Sequence, residues 1–188
     1  MTQPLARQLY FSFVYSRIQY GLEIYGTCSA GLLSKLQTLQ NGLLKLLLCR
    51  NYRESTNVIH SELKILKVKE IRTVNLANFV NNCLLGNLPA PFNLYFQYRN
   101  SMYGFRNQNL NVPWARTTCG SLRTQVSGAK LWNGLLNHDV CRSFVLKKSF
   151  KKSLVKHYLV AYVDRYVMCT CYAVSLQVKY FNNVDCTF

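Results

Sequence analysis

Acidic residues are scarce in this sequence. Among its 188 residues there are 7 Asp and Glu against 23 Lys and Arg, which gives a net charge of +16. Divalent-metal sites and paired-carboxylate chemistry need several acidic oxygens close together, and no two acids are adjacent here. The excess of positive charge makes nucleic acid the first partner to consider. The alternatives are a basic protein without such a partner, or one that meets anionic lipid.

The sequence also lacks a secretory signal, a membrane-spanning run and a zinc-binding cysteine pattern. Gln3-Pro4 and Arg7 interrupt the apolar N-terminus, and the apolar-leaning run at 166–178 is too short to cross a bilayer. The 8 cysteines are scattered, so we expect reduced, mostly buried thiols. Cys169-Thr-Cys171 lacks the spacing of a zinc knuckle. We therefore expect no metal, no cofactor and no membrane partner.

Leucine spacing predicts the clearest helix, over residues 30–49, with Ser29 as its N-cap. A heptad-like seam is expected to be buried, and it comprises Leu32, Leu36, Leu39, Leu43 and Leu46. The predicted wet face comprises Lys35, Gln37, Gln40, Asn41 and Lys45. Gly42 suggests a close approach by another helix. A core helix of a bundle is preferred over a coiled-coil partner surface.

Three further helices are predicted in the first 86 residues. The row Leu5, Leu9 and Phe13 favours a helix over residues 5–25, although alternation with period two fits its centre about as well. A short helix is expected after Ser55 or Thr56, and another runs from about residue 63 to Gly86.

Residues 87–127 are rich in polar and turn-forming residues, which predicts loop with at most a short β-hairpin. Four arginines and several aromatic rings are interleaved there. Such rings either stack on bases or pack the segment onto the helices. We expect packing for Trp114 and Trp132, because large rings are usually buried.

Two helices are predicted after this segment, one capped by Ser127 and one capped by Ser143. The second is a basic amphipathic helix whose apolar face comprises Leu146, Phe150, Leu154 and Tyr158. Its lysines suit phosphate contact, an anionic membrane surface or plain solvation. Residues 159–188 are expected to form one or two strands.

Several short motifs follow one another along the chain. They are Tyr20-Gly21-Leu22-Glu23-Ile24-Tyr25-Gly26, Leu36-Gln37-x-Leu39-Gln40-Asn41, Pro113, Arg116-Thr117, Gly120-Ser121-Leu122, Gly128-Ala129-x-Leu131-Trp132-Asn133 and Phe150-Lys151-Lys152-x-Leu154. In this order they resemble the C-terminal part of the reverse transcriptase of LINE-type (non-LTR) retrotransposons of the jockey-like and chicken-repeat-like groups. Two positions depart from the family pattern. Phe105 stands where the family often has Thr before Arg106, and Leu136 stands where it usually has Pro.

The resemblance implies a mainly α fold. Residues 1–86 would form a thumb-like helical bundle, and residues 87–158 a loop-rich basic segment that ends in the lysine-rich helix. Residues 159–188 have no recognised counterpart. The family's catalytic aspartates lie in a palm domain, and no Asp-Asp pair occurs here. We therefore expect no polymerase activity from this chain alone.

The function expected from charge and resemblance together is sequence-independent binding of RNA or DNA backbones. The missing palm and fingers are a further expected partner, and a nuclear location rests on the resemblance alone. The alternatives are a non-functional retroelement remnant, or a helical protein-interaction module that uses the leucine-rich face of residues 32–48. The expected contact residues are Arg99, Arg106, Arg116, Arg123, Lys130, Lys147, Lys148, Lys151, Lys152 and Lys156.

Overall fold

The computed structural model describes residues 2–27, 30–99, 109–136 and 149–169. Their secondary structure is helical, and they contain no strand, which confirms the expected mainly α fold. An isolated antiparallel bridge joins Tyr98 to Leu110. The residues between Tyr98 and Leu110 at positions 100–108, which include Arg106, lie outside the described residues.

The helix predicted over residues 5–25 is confirmed, but it is interrupted twice. It comprises α1 (Gln3–Leu9), a π-helical segment (Tyr10–Tyr15), α2 (Ser16–Gln19) and α3 (Leu22–Tyr25). The hydroxyls of Ser12 and Ser16 donate to backbone carbonyls four residues earlier and so compete with the regular helix ladder. Gly21 has a φ of 66° and provides the left-handed turn between α2 and α3.

Helix α4 (Ala30–Leu47) lies where it was predicted, and Leu36 and Leu43 of the predicted seam pack against the core, but the rest of the seam was predicted wrongly. Gln40, expected on the wet face, is buried, whereas Leu32, Leu39 and Leu46 are 55%, 70% and 77% exposed. Nothing in the described chain comes within 4 Å of a Cβ placed on Gly42, so the expected close helix approach there is also wrong. The predicted cap Ser29 lies outside the described residues.

A buried amide explains this orientation. Gln40 Nε2 donates to the Tyr10 hydroxyl at 2.7 Å and to the Leu66 carbonyl at 2.9 Å. Gln37 Oε1 accepts from the backbone N–H of Val68 at 2.8 Å. These bonds tie α4 to the π segment and to the start of the next long helix, and they compensate the burial of polar groups.

Helices α5 (Thr56–Leu63) and α6 (Val68–Leu84) confirm the next two predictions. Ser55 occupies the N-cap position of α5 without a side-chain capping bond. Most of α6 is buried, because other helices cover it on several sides. It ends before Gly86, which has a φ of 70°.

The segment after α6 contains a short 3₁₀ helix (Ala90–Phe92), α7 (Thr118–Ser121) and α8 (Thr124–Leu136). Ser127 was predicted to cap α8, but it lies inside the helix, where its hydroxyl donates to the Arg123 carbonyl. The prediction was wrong because Thr124-Gln125-Val126 has no helix-breaking residue, so the helix extends back to Thr124. Trp132 is buried as expected, whereas Trp114 is 85% exposed and that expectation was wrong.

The lysine-rich helix α9 (Phe150–Cys169) buries Phe150 and Leu154 as predicted. The predicted cap Ser143 and the lysines Lys147 and Lys148 lie outside the described residues. Strands were expected after residue 158, but residues 159–169 continue α9. That expectation was wrong for this stretch because the helix packs against the rest of the fold there. Tyr162 is buried, and its hydroxyl oxygen accepts a hydrogen bond from the backbone N–H of Lys67 at 3.0 Å.

Two adjoining clusters form the core. The smaller comprises Tyr10, Leu44, Ile59, Leu63 and Ile65. The larger joins buried residues from α2 and α6 with residues from α8 and α9, so residues 1–86 and 87–158 contribute to the same core. Gly128 lets α8 pack closely against α6 and Phe96, since a Cβ there would lie 3.1 Å from Val80 Cγ2 and 3.0 Å from Phe96 Cζ.

Candidate nucleic-acid interface

Seven of the ten predicted contact residues belong to the described chain. Arg106, Lys147 and Lys148 lie outside it. Lys151 is half-buried. The remaining six are exposed, and they are Arg99, Arg116, Arg123, Lys130, Lys152 and Lys156. An exposed cation is hydrated and can be reached by a phosphate in solution. These six side chains are therefore accessible to a nucleic-acid backbone.

The structure places some of these cations together. Arg123 immediately precedes α8 and Lys130 lies two turns into it, which puts both on one side of the helix. Lys152 and Lys156 are one turn apart on the exposed side of α9. Arg99 and Arg116 lie on separate parts of the segment between α6 and α8, and no described contact joins them to either pair.

An open cleft of about 350 Å³ lies between α6 and the α7–α8 region. Lys130 is one of its lining residues. The cleft is lined by Arg72, Thr73, Leu76, Ser121, Leu122, Ser127, Lys130 and Leu131. We refer to it below as the α6–α8 cleft.

Arg72 was missed by the sequence reasoning, which looked for cations in the loops and in α9. A signal was present, because Lys64, Lys67, Lys69 and Arg72 form a basic run with Glu70 as its one acid. Nothing local, however, indicates that Arg72 faces α8. That placement depends on how α6 packs in the finished fold.

The Arg72 side chain contacts the end of α3. Its aliphatic stem packs against Gly26, where an added Cβ would lie 3.1 Å from Arg72 Cδ and 3.2 Å from Cγ. The Thr124 hydroxyl donates to the Glu23 carbonyl at 3.3 Å and so links the start of α8 to α3. The walls of the cleft are thus joined through α3 as well as through the direct α6–α8 contact.

The cleft offers donors for an anion. The hydroxyls of Thr73, Ser121 and Ser127 already donate to backbone carbonyls, at 2.9, 2.6 and 3.0 Å. The donors that remain are the Arg72 guanidinium and the Lys130 ammonium. None of the described residues that line the cleft is acidic. The ion pairs between described residues that join Arg50 to Glu54 and to Glu62 include neither Arg72 nor Lys130.

The motif Gly128-Ala129-x-Leu131-Trp132-Asn133 is largely structural. Gly128 and Ala129 are buried against the core, as is Trp132. The Asn133 amide donates to the Leu110 carbonyl at 3.0 Å and accepts from its N–H at 2.8 Å, which holds the incoming chain as a neighbouring strand would. Of the residues that define this motif, Leu131 lines the cleft. Lys130, which occupies the unspecified position of the motif, lines it too.

The buried titratable groups serve the core and not the cleft. Burial raises the pKa of Tyr10 to about 12, partly offset by its hydrogen bond with Gln40. Burial lowers the pKa of His60 to about 4, and its Nδ1 lies 3.0 Å from the Ile65 carbonyl oxygen. Burial raises the pKa of Cys83 to about 11, so this thiol stays protonated at neutral pH.

Within the described ranges, no three His, Cys, Asp or Glu residues come close enough to hold a metal ion. Cys171 of the Cys169-Thr-Cys171 pair lies outside those ranges. None of the described helices is long and apolar enough to cross a bilayer.

Comparison of the chain with protein-family models, with curated protein sequences and with solved structures finds no significant match.

Proposed function

We propose that this chain is the thumb and C-terminal segment of a LINE-type reverse transcriptase and that it binds nucleic-acid backbones without sequence preference. The ordered motifs support the origin, and the mainly helical fold agrees with a thumb-like bundle. The net charge of +16 supports a polyanionic partner. In this proposal the palm and fingers that would supply the catalytic aspartates are separate, so the chain itself is not an enzyme.

The observation that carries the proposal is the convergence of cations from two helices. Arg72 on α6 and Lys130 on α8 line one cleft, and no acid is among its described lining residues. Exposed Arg123 lies beside it at the start of α8. Cations held on a rigid scaffold bind phosphates at a lower entropic cost than the same side chains on a free loop. Lys152 and Lys156 on α9 provide a second group of contacts.

The test is the salt dependence of binding. A fluorescently labelled RNA–DNA hybrid is titrated with the chain at several salt concentrations, and each phosphate contact is expected to contribute about 0.7–0.9 to the slope of log K against log salt. Replacing Lys130, Arg123 or Lys152 by Gln is expected to lower the slope by roughly one each. Affinity should depend little on base sequence.

Lys35→Gln is the matched control, since Lys35 is exposed on α4 and lies outside the cleft lining. It removes the same charge and should leave the slope nearly unchanged. If the folded chain fails to bind at low salt, the remnant alternative is preferred. If Lys35→Gln flattens the slope as much as Lys130→Gln, the binding is diffuse and the assigned interface is wrong.

The protein-interaction alternative has one observation in its favour, which is the exposure of Leu32, Leu39 and Leu46 along α4. Sedimentation of the free chain over a range of concentrations, run beside the titration, separates the two functions. Self-association that Leu39→Glu abolishes would favour this alternative. Salt-dependent binding by a monomer favours the backbone-binding proposal.

A further inference from the structure

The α6–α8 cleft has a shape that backbone binding does not require. Contacts with the phosphates of a duplex need only an exposed convex or shallow surface. The cleft, at about 350 Å³, reaches the size of sites that take small organic ligands, roughly 300–1,000 Å³. It is therefore large enough for a phosphate together with the group attached to it.

The lining divides into a charged part and an apolar part. Arg72 and Lys130 supply positive charge, while Leu76, Leu122 and Leu131 supply apolar surface. Leu76 is 2% exposed and belongs to the packed interior, so it forms a fixed floor. A ligand that matches both parts is an anion joined to a flat or apolar body. Among the components of nucleic acid, a single nucleotide has this character.

A nucleotide inside a duplex cannot enter such a cleft, because its base is stacked and paired. An unpaired nucleotide at a strand end has its base free. A terminal phosphate monoester also carries about 1.5 to 2 negative charges near neutral pH, against one for a backbone diester. The two cations of the cleft match the greater charge, and its other described lining residues are neutral.

Two cations of different shape line the cleft, one from each helix. The Arg72 stem is fixed against Gly26, and its guanidinium presents a planar fork of donors suited to phosphate oxygens. Lys130 approaches from the opposite wall as a point charge. We propose that the α6–α8 cleft binds the phosphorylated terminal nucleotide of a single strand. This inference rests on the proposed function and makes it more specific.

The experiment compares labelled single-stranded oligonucleotides of one sequence that differ only at the end: 5′-phosphate, 3′-phosphate or hydroxyl at both ends. Binding of the full chain is measured by fluorescence anisotropy at one salt concentration. A phosphorylated end is expected to bind about tenfold more tightly than the hydroxyl form, the size of one charge-assisted hydrogen-bonded contact. The two phosphorylated oligonucleotides show which end is preferred.

Variants locate the effect. Arg72→Gln and Lys130→Gln should each remove most of the preference for a phosphorylated end, and Arg72→Lys should restore part of it by keeping the charge without the fork. Lys35→Gln, outside the cleft lining, should leave the preference unchanged. Thermal unfolding of each variant shows whether it is folded when tested.

A nucleoside monophosphate tests the apolar part of the cleft. Uridine monophosphate should displace the phosphorylated oligonucleotide at a lower concentration than inorganic phosphate does, and uridine should displace it poorly. If the phosphorylated and hydroxyl oligonucleotides bind equally, with the same salt dependence, the end-binding inference is overturned while backbone binding stands. If no oligonucleotide binds at low salt, the proposed function itself fails. If Arg72→Gln and Lys130→Gln keep the preference for a phosphorylated end, the strand end binds outside the α6–α8 cleft and the inference is wrong.

Discussion

At the scale of single residues, buried polar side chains decide how the N-terminal half packs. Gln40 is almost completely buried, and its Nε2 is shared between the Tyr10 hydroxyl and the Leu66 carbonyl. A carbonyl left without a donor in the interior would cost about 1–3 kcal/mol. Gln40 therefore lies on the buried face of α4. Three leucines that the heptad-like spacing would bury, Leu32, Leu39 and Leu46, are exposed to solvent instead.

His60 makes stability depend on pH. Its ordinary pKa is 6.5, and burial lowers it to about 4, with the positive charge of Lys67 acting in the same direction. Between these two values the unfolded chain binds a proton that the folded chain does not. The free energy of unfolding should therefore fall as the pH drops from about 6.5 to about 4, by roughly 3 kcal/mol in total.

Urea unfolding at a series of pH values measures this loss, and His60→Asn provides the comparison. The variant should be less stable than the natural chain near pH 7, and its stability should change less between pH 6.5 and 4.5. Protonation of the carboxylates paired with Arg50 affects both chains alike, so the difference isolates His60. Parallel pH curves for the two proteins would contradict the assignment.

At the scale of elements, α4 has a buried face and an exposed face. The same substitution, Leu to Ala, should affect the free energy of unfolding differently on the two faces. Leu44 is 1% exposed in the smaller core cluster, whereas Leu39 is 70% exposed. Leu44→Ala should lower the free energy of unfolding by about 2–5 kcal/mol, because it leaves a cavity. Leu39→Ala should change it by less than about 0.5 kcal/mol, since Ala is a good helix former at a solvated position. Chemical denaturation of both variants measures the contrast, and equal losses would restore the heptad-based orientation.

The elements themselves were largely predictable from the sequence. Leucine periodicity located α4, and turn residues located the end of α6 at Gly86. The start of α8 and the extent of α9 were predicted wrongly, because local rules placed a cap at Ser127 and strands after residue 158. In both cases the apolar residues continue a helical face that only the neighbouring helices define.

The candidate site was predictable only in part. Lys130, Lys152 and Lys156 are exposed, and the sequence indicates them as candidates because no Asp or Glu lies close to them along the chain. The α6–α8 cleft was not, because Arg72 and Lys130 are far apart in the chain and meet through tertiary packing. The resemblance motif in α8 gave no guidance, since its Gly128, Trp132 and Asn133 serve packing and chain positioning.

At the scale of the whole molecule, α6 is the element that the other helices share. Its buried face contributes Ile71, Val74, Ala77 and Val80 to the larger core cluster. Trp132 of α8 and Phe150 of α9 belong to that cluster too, and their rings lie 5.7 Å apart. The basic C-terminal half is thus not an appendage on a finished bundle, since it completes the interior of the first half.

A chain truncated after residue 86 tests this organisation. It keeps the smaller core cluster, with Tyr10, Leu44 and Ile59, but exposes the α6 face that α8 and α9 cover. We expect it to retain helical far-UV circular dichroism and to lose a cooperative thermal transition, because too little apolar surface remains buried to offset the entropy of ordering the chain. The full chain and a chain ending at residue 169 are the controls, and both should unfold in one sharp step. A truncated chain that unfolds as sharply as the controls would make residues 1–86 an independent domain, with the cleft as an interface between two units that fold separately.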